Sequence, residues 1–266
     1  MPRRSADLNV MVQAAFKAAR GMVRDFGEVE NLQVSRKGPG DFVTATDLRA
    51  EEVLRAELAR ARPGCGFLLE EGGVVAGGGD GRRWIVDPLD GTLNFLHGIP
   101  HFAISIALEH EGEIVAGVVY DPLRDELFHA EKGSGAYMND RRLRVSARGK
   151  LEESVIATGI PSKGRAGHPE YLGQLAAVMA RCAGVRRLGS AALDLAYVAA
   201  GRYEGFWEPA LSLWDIAAGV LLVREAGGYV SEIDGGAEVL ASCDVLAAND
   251  RLHAELVALL AEADGG

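Results

Sequence analysis

The chain has 266 residues, of which 48% are hydrophobic and 25% are charged. It can therefore bury a sizeable core, and this composition excludes a disordered chain. The net charge of −10 at neutral pH disfavours nucleic acid and anionic membranes as partners. The three cysteines, Cys65, Cys182 and Cys243, are widely separated, so we expect free, buried thiols in a reducing compartment.

Neither the first residues nor any later segment predicts export or a membrane span. The opening "MPRRSADLNV" lacks the apolar core of a signal peptide. No run approaches the ~18 apolar residues that a membrane helix requires. We therefore expect a cytoplasmic protein with no membrane partner.

The first third of the chain predicts two helices, a short strand and a loop. Apolar residues recur at helical spacing from Asp7 to about Phe26. A second helix is predicted to begin after Asp47 and to end before Pro63. "GFLLEEGG" predicts a short strand that ends in two glutamates. The following "VVAGGGDGR" predicts a loop, and it lacks the Lys-Ser/Thr of a phosphate-binding loop.

The remaining two thirds predict an antiparallel meander followed by alternating strands and helices. The meander consists of "HFAISIALEH", "EIVAGVVYDP" and "ELFHAEKGSGAYMN". Beyond residue 150, four strands alternate with four helices: the strands are "SVIATGI", "VRRLG", "YEGFWE" and "YVSEI", and the helices lie near 170–182, in "SAALDLAYVAAG", in "WDIAAGVLLVREAGG" and from about Arg251. We predict one α/β unit of stacked sheets and helices, with closely packed halves at about 1–145 and 146–266.

The stretch "WIVDPLDGTLNF" (84–95) places Asp87 and Asp90 three positions apart where a buried strand is predicted to end. Two carboxylates ~4 Å apart repel by ~4 kcal/mol at an effective dielectric of ~20, so a cation or a shared proton is required. Oxygen ligands without a nearby cysteine favour Mg²⁺ together with a phosphate. The turn at Gly91 and Thr92 would offer backbone N–H groups to an anion. The structural alternative is a capping aspartate and a turn aspartate.

Three further acidic residues lie at the edges of predicted elements. Asp47 and Glu70 occupy positions typical of helix caps or solvated charges. Asp215 opens an apolar helix, where an N-cap is the ordinary role. That role is compatible with metal binding, because a capping carboxylate has a second oxygen.

The histidines do not predict a zinc site. His97 and His101 have helical spacing, but the glycine and proline between them break any helix that would align the two rings. The other four lack a nearby carboxylate or cysteine partner and are predicted at the surface: His110, His129, His168 and His253.

Three motifs in the same order resemble the inositol monophosphatase family of Mg²⁺-dependent, lithium-sensitive phosphatases. They are "KGPGDFVTATD" (37–47), "WIVDPLDGTLNF" (84–95) and "WDIAAGVLLVREAGG" (214–228). The resemblance covers almost the whole chain. It implies a single catalytic domain with a layered αβαβα sandwich of the sugar-phosphatase type, an antiparallel-rich N-terminal sheet and a smaller C-terminal sheet. It also implies a homodimer.

The resemblance further implies two or three Mg²⁺ ions per active site and a set of ligands. Glu70, Asp87 and the carbonyl of Leu89 would hold the first ion. Asp87, Asp90 and Asp215 would hold the second. Catalysis would involve Thr92, which would hydrogen-bond the attacking water, and Asp47, which would accept the Thr92 proton, with assistance from Glu70.

The implied substrate is a small phosphorylated polyol or sugar. Its contacts would come from eight residues: Asp90, Gly91, Thr92, Gly189, Ser190, Ala191, Glu208 and Asp215. The amides of Gly91 and Thr92 would meet the phosphate, and Glu208 would meet ring hydroxyls. One departure from the family pattern is Leu69, where many relatives have glycine.

The expected reaction is hydrolysis of myo-inositol 1-phosphate to inositol and phosphate by direct attack of a metal-activated water. Alternative substrates are fructose 1,6-bisphosphate, histidinol phosphate or a nucleotide-derived phosphate. A second alternative is a family member associated with the transcription machinery, without direct nucleic acid contact. A haloacid-dehalogenase-type phosphatase would form an aspartyl-phosphate, but "DPLDGT" has one residue more than its D-x-D-G-T motif.

Overall fold

The computed structural model describes residues 4–28, 34–38, 41–161 and 166–264. Part of the motif at 37–47, residues 39–40, lies outside these ranges. The described helices are α1 (Ala6–Phe26), α2 (Ala45–Ala61), α3 (Thr92–Leu96), α4 (His168–Met179), α5 (Ala191–Ala199), α6 (Leu213–Glu225), α7 (Val239–Ser242) and α8 (His253–Asp264).

The strands form three sheets. A hairpin consists of β1 (Val34–Gly38) and β2 (Asp41–Thr44). The eight strands of the large sheet are β3 (Gly66–Leu69), β4 (Gly73–Val75), β5 (Arg82–Asp90), β6 (Ala103–His110), β7 (Glu113–Asp121), β8 (Glu126–Glu131), β9 (Gly135–Met138) and β10 (Arg141–Arg142). The five strands of the small sheet are β11 (Val155–Thr158), β12 (Gly184–Arg186), β13 (Gly205–Glu208), β14 (Tyr229–Ser231) and β15 (Val245–Ala248).

The strand pairing confirms an antiparallel-rich N-terminal sheet and a smaller C-terminal one. The large sheet has the order β10-β9-β8-β7-β6-β5-β3-β4, and only the β3–β5 pair in it is parallel. The small sheet has the order β12-β11-β13-β15-β14, with β11 parallel to both of its neighbours. The meander predicted in the middle third is β6 to β9.

Three apolar clusters hold the layers together. One packs α1 and α2 against one face of the large sheet. A second fills the space between the two sheets, where α5 and α6 lie. The third packs α4 and α8 against the outer face of the small sheet. The layer order is therefore α, β, α, β, α, as the fold class predicts.

Several boundaries differ from the sequence predictions for local reasons. Helix α2 begins at Ala45, because Thr44 is its N-cap and Asp47 closes a capping box with it. Strand β4 forms where "VVAGGGDGR" predicted only a loop, and "ELFHAEKGSGAYMN" divides into β8 and β9. Strand β15 was missed, because a short, fully buried "VLAA" has no alternating pattern.

Two side-chain predictions need correction. His129 is only 2% exposed and not a surface residue, because its ring lies under Tyr137 and beside Arg4. Cys65 and Cys243 are free and buried as expected, but Cys182 is half-buried. Within the described ranges, none of the helices is long and apolar enough to span a membrane.

Helix α6 depends on a glycine at its contact with α5. A Cβ atom added to Gly219 would lie 2.6 Å from the Leu195 Cβ atom, so the two helices meet without space for a methyl group. In contrast, a Cβ atom added to Gly21 in α1 would have no atom within 4 Å.

We predict opposite effects for two alanine substitutions within helices. Gly219→Ala should lower the free energy of unfolding, because overpacking costs ~1–3 kcal/mol and outweighs the ~1 kcal/mol gain in helix propensity. Gly21→Ala should raise it by ~0.5–1 kcal/mol, because only the propensity changes. Guanidinium unfolding of both variants measures the difference, and equal shifts of the same sign would contradict this account of the α5–α6 contact.

Candidate active site

The two aspartates of "WIVDPLDGTLNF" lie at a distortion in β5. The sequence predicts that the strand ends at Asp87, but in the structure β5 continues to Asp90. Its register with β6 shifts between Asp87 and Asp90, where Pro88 provides no N–H group for the ladder. Asp87 is 2% exposed, and its Oδ1 accepts the Leu89 amide at 2.9 Å. The distortion brings both carboxylates to the same end of the strand.

Asp90 connects the large sheet to the second half of the chain. Its Oδ2 accepts the Ser190 hydroxyl at 2.5 Å and the Ala192 amide at 2.8 Å. Ser190 is also the N-cap of α5, where its Oγ accepts the Leu193 amide. A single carboxylate oxygen thus holds the start of α5 against the end of β5. This contact brings the predicted segment Gly189–Ala191 to the two aspartates.

Asp215 lies in the first turn of α6 and is not its N-cap. The N-cap is Ser212, and Asp215 occupies the third helical position of a capping box. The Ser212 amide donates to Asp215 Oδ2 at 2.7 Å. Asp215 therefore caps the helix as predicted, but it does so from the third helical position and not from the N-cap position. One oxygen of Asp215 caps the helix, as one oxygen of Asp90 anchors α5.

Four carboxyl groups form what we call the acidic cluster: Glu70, Asp87, Asp90 and Asp215. Burial raises the pKa of Asp87 well above its usual value, and the charges of the three other members raise it further. Burial also raises the pKa of Asp90 to about 6, against the opposing effect of the Ser190 hydrogen bond. The pKa of Asp215 is raised well above its usual value, first by burial and then by Asp90.

The Glu70 carboxyl group lies close to that of Asp87, because its charge and a side-chain contact both contribute to the raised pKa of Asp87. The sequence left open whether a cation or a shared proton relieves the repulsion between the acidic groups, and the closeness of these carboxyl groups makes one of the two necessary. The Glu70 amide donates to the Val86 carbonyl at 3.1 Å, which extends the β3–β5 pairing to Glu70. Leu69, the departure from the family pattern, is buried in the core at this pairing.

The donor set fits a hard divalent cation. It consists of carboxylate and carbonyl oxygens, without cysteine or histidine. In the parts of the chain that the structure describes, no three His, Cys, Asp or Glu side chains form a ready-made metal cage. Mg²⁺ does not require one, because it usually keeps several waters and binds one or two carboxylates plus substrate phosphates.

Thr92, Asp47 and Leu89 form a hydrogen-bonded group beside the acidic cluster. The Thr92 hydroxyl lies 3.0 Å from both Asp47 Oδ1 and the Leu89 carbonyl oxygen, and its one hydrogen serves one of them at a time. Asp47 Oδ2 accepts the amide and hydroxyl of Thr44, which closes the capping box of α2. Asp47 thus both stabilises a helix and contacts Thr92. Its burial raises its pKa.

The turn between β5 and α3 requires a glycine. Gly91 is the N-cap of α3 with a φ of 97°, in the left-handed region. A Cβ atom there would also lie 3.0 Å from the His101 carbonyl oxygen. The first amides of a helix have no partner within the helix, so those at the start of α3 can donate outward. The phosphate contacts predicted at Gly91 and Thr92 would use these amides.

Glu208 ends β13 close to the acidic cluster. Its charge contributes to the raised pKa of Asp215, which places the two carboxyl groups near each other. A Cβ atom on Gly159 would lie 1.8–2.0 Å from the Glu208 carboxyl atoms. The glycine therefore makes room for the carboxyl group in this position. The structure thus brings Glu208 together with the other predicted site residues.

Sequence reasoning missed three residues near the site. Asn94 is buried, and its Nδ2 donates to the carbonyls of His101 and Leu188, each at 2.8 Å. Glu51 accepts the amide of Glu71 at 2.8 Å and so fixes the residue after Glu70. The third is Asp194, whose signal was an acidic residue inside the apolar helix "SAALDLAYVAAG".

Asp194 is 1% exposed and lies near Glu208 and Asp90. Burial raises its pKa well above the usual value, and the charge of Glu208 is the next cause. Among the described residues, its Oδ1 atom has no hydrogen-bond partner. Burial without a compensating partner on Oδ1 therefore disfavours the charged form of Asp194.

Five alternating layers with an acidic cluster beside a threonine–aspartate pair define a phosphoric monoester hydrolase. The sequence model of the inositol monophosphatase family matches residues 4–264. The chain belongs to the inositol monophosphatase family, as the three motifs predict, and it is a phosphatase.

The chain is 63% identical over 254 residues to "Inositol-1-monophosphatase" of Mesorhizobium japonicum, with 96% of each chain covered. It is 44% identical to "Nus factor SuhB" of Pseudomonas aeruginosa, with 94% of each covered. The crystal structure of extragenic suppressor protein suhB from Bartonella henselae has a TM-score of 0.94 and 58% identity, and the match covers 96% of this chain and 98% of that one. The fold and the enzyme class are thereby confirmed.

We predict that the protein loses stability as pH rises when divalent cations are removed with EDTA. Burial raises the pKa of Asp90 in the folded state to about 6, from its ordinary value of 3.8. Between these values the folded state binds more protons than the unfolded state, so the free energy of unfolding falls as pH rises. The raised pKa of Asp90 alone corresponds to a loss of at most about 3 kcal/mol in the free energy of unfolding.

Thermal unfolding in EDTA between pH 4 and 7 measures this effect. Asp90→Asn should flatten the decline, whereas Asp250→Asn, a change at an exposed aspartate, should retain it. An unchanged slope in Asp90→Asn would show that the burial of this carboxylate does not control stability.

Proposed function

We propose that the chain hydrolyses myo-inositol 1-phosphate to inositol and phosphate. The observation that carries the proposal is the acidic cluster, which lies next to the open amides of α3 and to Glu208. Relatives at 54–63% identity with the name inositol-1-monophosphatase support the substrate. Fructose 1,6-bisphosphate, histidinol phosphate and nucleotide-derived phosphates are the alternatives to be tested beside it.

Two or three Mg²⁺ ions form the proposed cofactor. Glu70, Asp87 and the Leu89 carbonyl would hold one ion, and Asp87, Asp90 and Asp215 would hold another. When bound, Mg²⁺ would supply Lewis-acid activation of water and neutralise phosphate charge. Lithium sensitivity is proposed along with this site.

Thr92 and Asp47 would position the attacking water. Once the Thr92 hydrogen is directed to Asp47 Oδ1 at 3.0 Å, the lone pairs of the hydroxyl oxygen can accept a hydrogen bond from water. Asp47 keeps this orientation because its other oxygen is fixed by Thr44. The carboxyl group of Glu70 would assist in removing a proton from the attacking water. Positioning and charge neutralisation thus do most of the catalytic work.

The substrate would bridge the two halves of the chain. The α3 amides of Gly91 and Thr92 would bind the phosphate together with Asp90 and Asp215. The segment Gly189–Ala191, which adjoins Asp90, would line the same pocket. The Glu208 carboxylate would accept hydrogen bonds from ring hydroxyls, which suits a polyol without specifying inositol.

We also propose that the lobes 1–145 and 146–266 form one catalytic domain. The contact of Asp90 with Ser190 and Ala192 supports this, because one lobe completes a residue of the other. We further propose that the protein is cytoplasmic and forms a homodimer. Light scattering tests the dimer. The substrate partner is a small molecule, with no membrane and no direct nucleic acid contact.

A second role is favoured by relatives at 43–44% identity that are named Nus factor SuhB. We propose an association with the transcription machinery in addition to catalysis. Co-purification of the tagged chain with RNA polymerase or its elongation factors tests it, and Asp87→Asn separates the two roles because binding should survive the loss of turnover.

We predict that Asp87→Asn nearly abolishes turnover in saturating Mg²⁺ without unfolding the protein. The loss should exceed the ~10–100-fold that is typical of changes outside the direct ligands. Phosphate release and circular dichroism measure the two properties, and Asp250→Asn serves as a control with parent activity. Turnover within a few-fold of the parent would refute the assignment of Asp87.

We predict that Glu208→Gln raises KM for inositol 1-phosphate more than it lowers kcat, because its proposed contacts are with hydroxyls and not with the reacting phosphorus. Gly159→Ala should act in the same direction by displacing the Glu208 carboxyl group. A panel of the four substrates, with and without Mg²⁺ and Li⁺, measures both variants. Equal effects on all four would exclude a role for Glu208 in selectivity.

A further inference from the structure

Asn94 belongs to the motif "WIVDPLDGTLNF", but neither the acidic cluster nor the threonine–aspartate pair includes it. Its side chain is buried, and a buried amide is unfavourable unless its polar atoms are hydrogen-bonded. The Nδ2 atom donates to the carbonyls of His101 and Leu188, each at 2.8 Å, and the Gly189 carbonyl oxygen lies 3.3 Å away. The Asn94 amide thus joins α3 to two other segments of the chain.

These side-chain contacts do more than stabilise α3. The Asn94 backbone carbonyl already serves the end of that helix, because it accepts the amides of His97 and Ile99. The side chain instead reaches Leu188, which lies 94 positions further along the chain, between β12 and α5. A role within α3 alone would leave this direction of the side chain unexplained.

The segment Gly189–Ala191 of the proposed substrate pocket is held on both sides by side chains from the first lobe. Asn94 binds the carbonyl of Leu188, which precedes the segment. Asp90 accepts the amide of Ala192, which follows it. Asp90 is also a proposed metal ligand, whereas the Asn94 amide is uncharged and lies outside the acidic cluster. Asn94 can therefore position this segment without a part in metal binding.

Gly189 allows the Asn94 amide to approach the segment closely. Its φ of 84° lies in the left-handed region, and a Cβ atom there would lie 3.3 Å from Asn94 Nδ2. The Gly189 carbonyl oxygen would also lie 3.3 Å from a Cβ atom on Gly91. The backbone of the second lobe therefore packs directly against the turn at which the phosphate is proposed to bind.

We propose that Asn94 is a positioning residue, which holds the segment Gly189–Ala191 in place for the polyol part of the substrate. It has this role only if the proposed function is correct, because the segment would then line the occupied pocket. One planar amide that donates to carbonyls on two segments fixes their separation, since neither carbonyl can move away without losing its donor. Removal of the amide should weaken substrate binding and leave the metal ligands in place.

Steady-state kinetics of Asn94→Ala test this role, with the ester of the four-substrate panel that the parent protein hydrolyses best. KM should rise by about five-fold or more, because substrate contacts with the segment are lost. The Mg²⁺ concentration that gives half-maximal activity should stay within about three-fold of the parent value, because the acidic cluster is intact. A substitution that only destabilised the fold would lower the apparent kcat through the folded fraction and leave KM unchanged.

Asn249→Ala is the matched control. Asn249 is also a buried asparagine, and its Nδ2 donates to the Arg148 carbonyl at 2.8 Å. Its backbone amide donates to the carbonyl of Glu204, which precedes β13, whereas Glu208 ends that strand. Asn249 therefore lies at the end of β13 that is remote from the pocket, and its alanine variant should keep the parent KM.

Asn94→Ser is the second variant, for use if the alanine variant does not fold. Its side chain is one bond shorter and cannot reach the two carbonyls, so the same rise in KM is expected. The proposal is overturned if KM of the folded variant rises by less than about five-fold, if the Mg²⁺ requirement shifts by more than about three-fold, or if Asn249→Ala raises KM equally. Failure of the proposed function would instead be seen in the parent protein, as a lack of phosphate release from inositol 1-phosphate.

Discussion

Mutual repulsion among buried carboxyl groups is the interaction on which the site depends. Asp87 and Asp90 share β5, Glu70 follows the neighbouring β3, and Asp215 comes from α6, so the packing of α6 against the large sheet completes the group. Without a cation, burial and the mutual repulsion of these groups favour protonation, and both raise the pKa of Asp87. The fold therefore supplies the free energy that keeps unfavourable neighbours together, and a divalent ion would lower that cost.

Most carboxylates of the site also have a structural task. Asp47 and Asp215 close the capping boxes of α2 and α6, and Asp90 anchors the start of α5. In each case hydrogen bonds to local backbone groups fix the direction of the carboxylate. A structural role and a proposed functional role are therefore compatible in these residues. Rigid elements orient the groups, and the orientation makes them useful for chemistry.

The sequence predicted the class of fold and the family correctly, because strong signals coincided. The roles of the site residues stay predictions, although the structure brings the four acidic ones together. Long periodic helices such as α1, alternating strands and paired acidic motifs are local patterns. Other features depend on distant contacts. The role of Asn94 requires the loop at Leu188, and the burial of His129 requires Tyr137. The short strand β15 has no periodicity to reveal it, and its position follows from pairing with β13 and β14.

The dual use of Asp90 limits how this protein can change. One oxygen sets the separation of β5 from the first turn of α5, and a glutamate would add a carbon–carbon bond of about 1.5 Å to that link. Either the small sheet would shift relative to the large one, or the carboxylate would leave its place among the other acids. The Asp90 side chain sets the distance between the two halves of the molecule, so its length is as constrained as its charge.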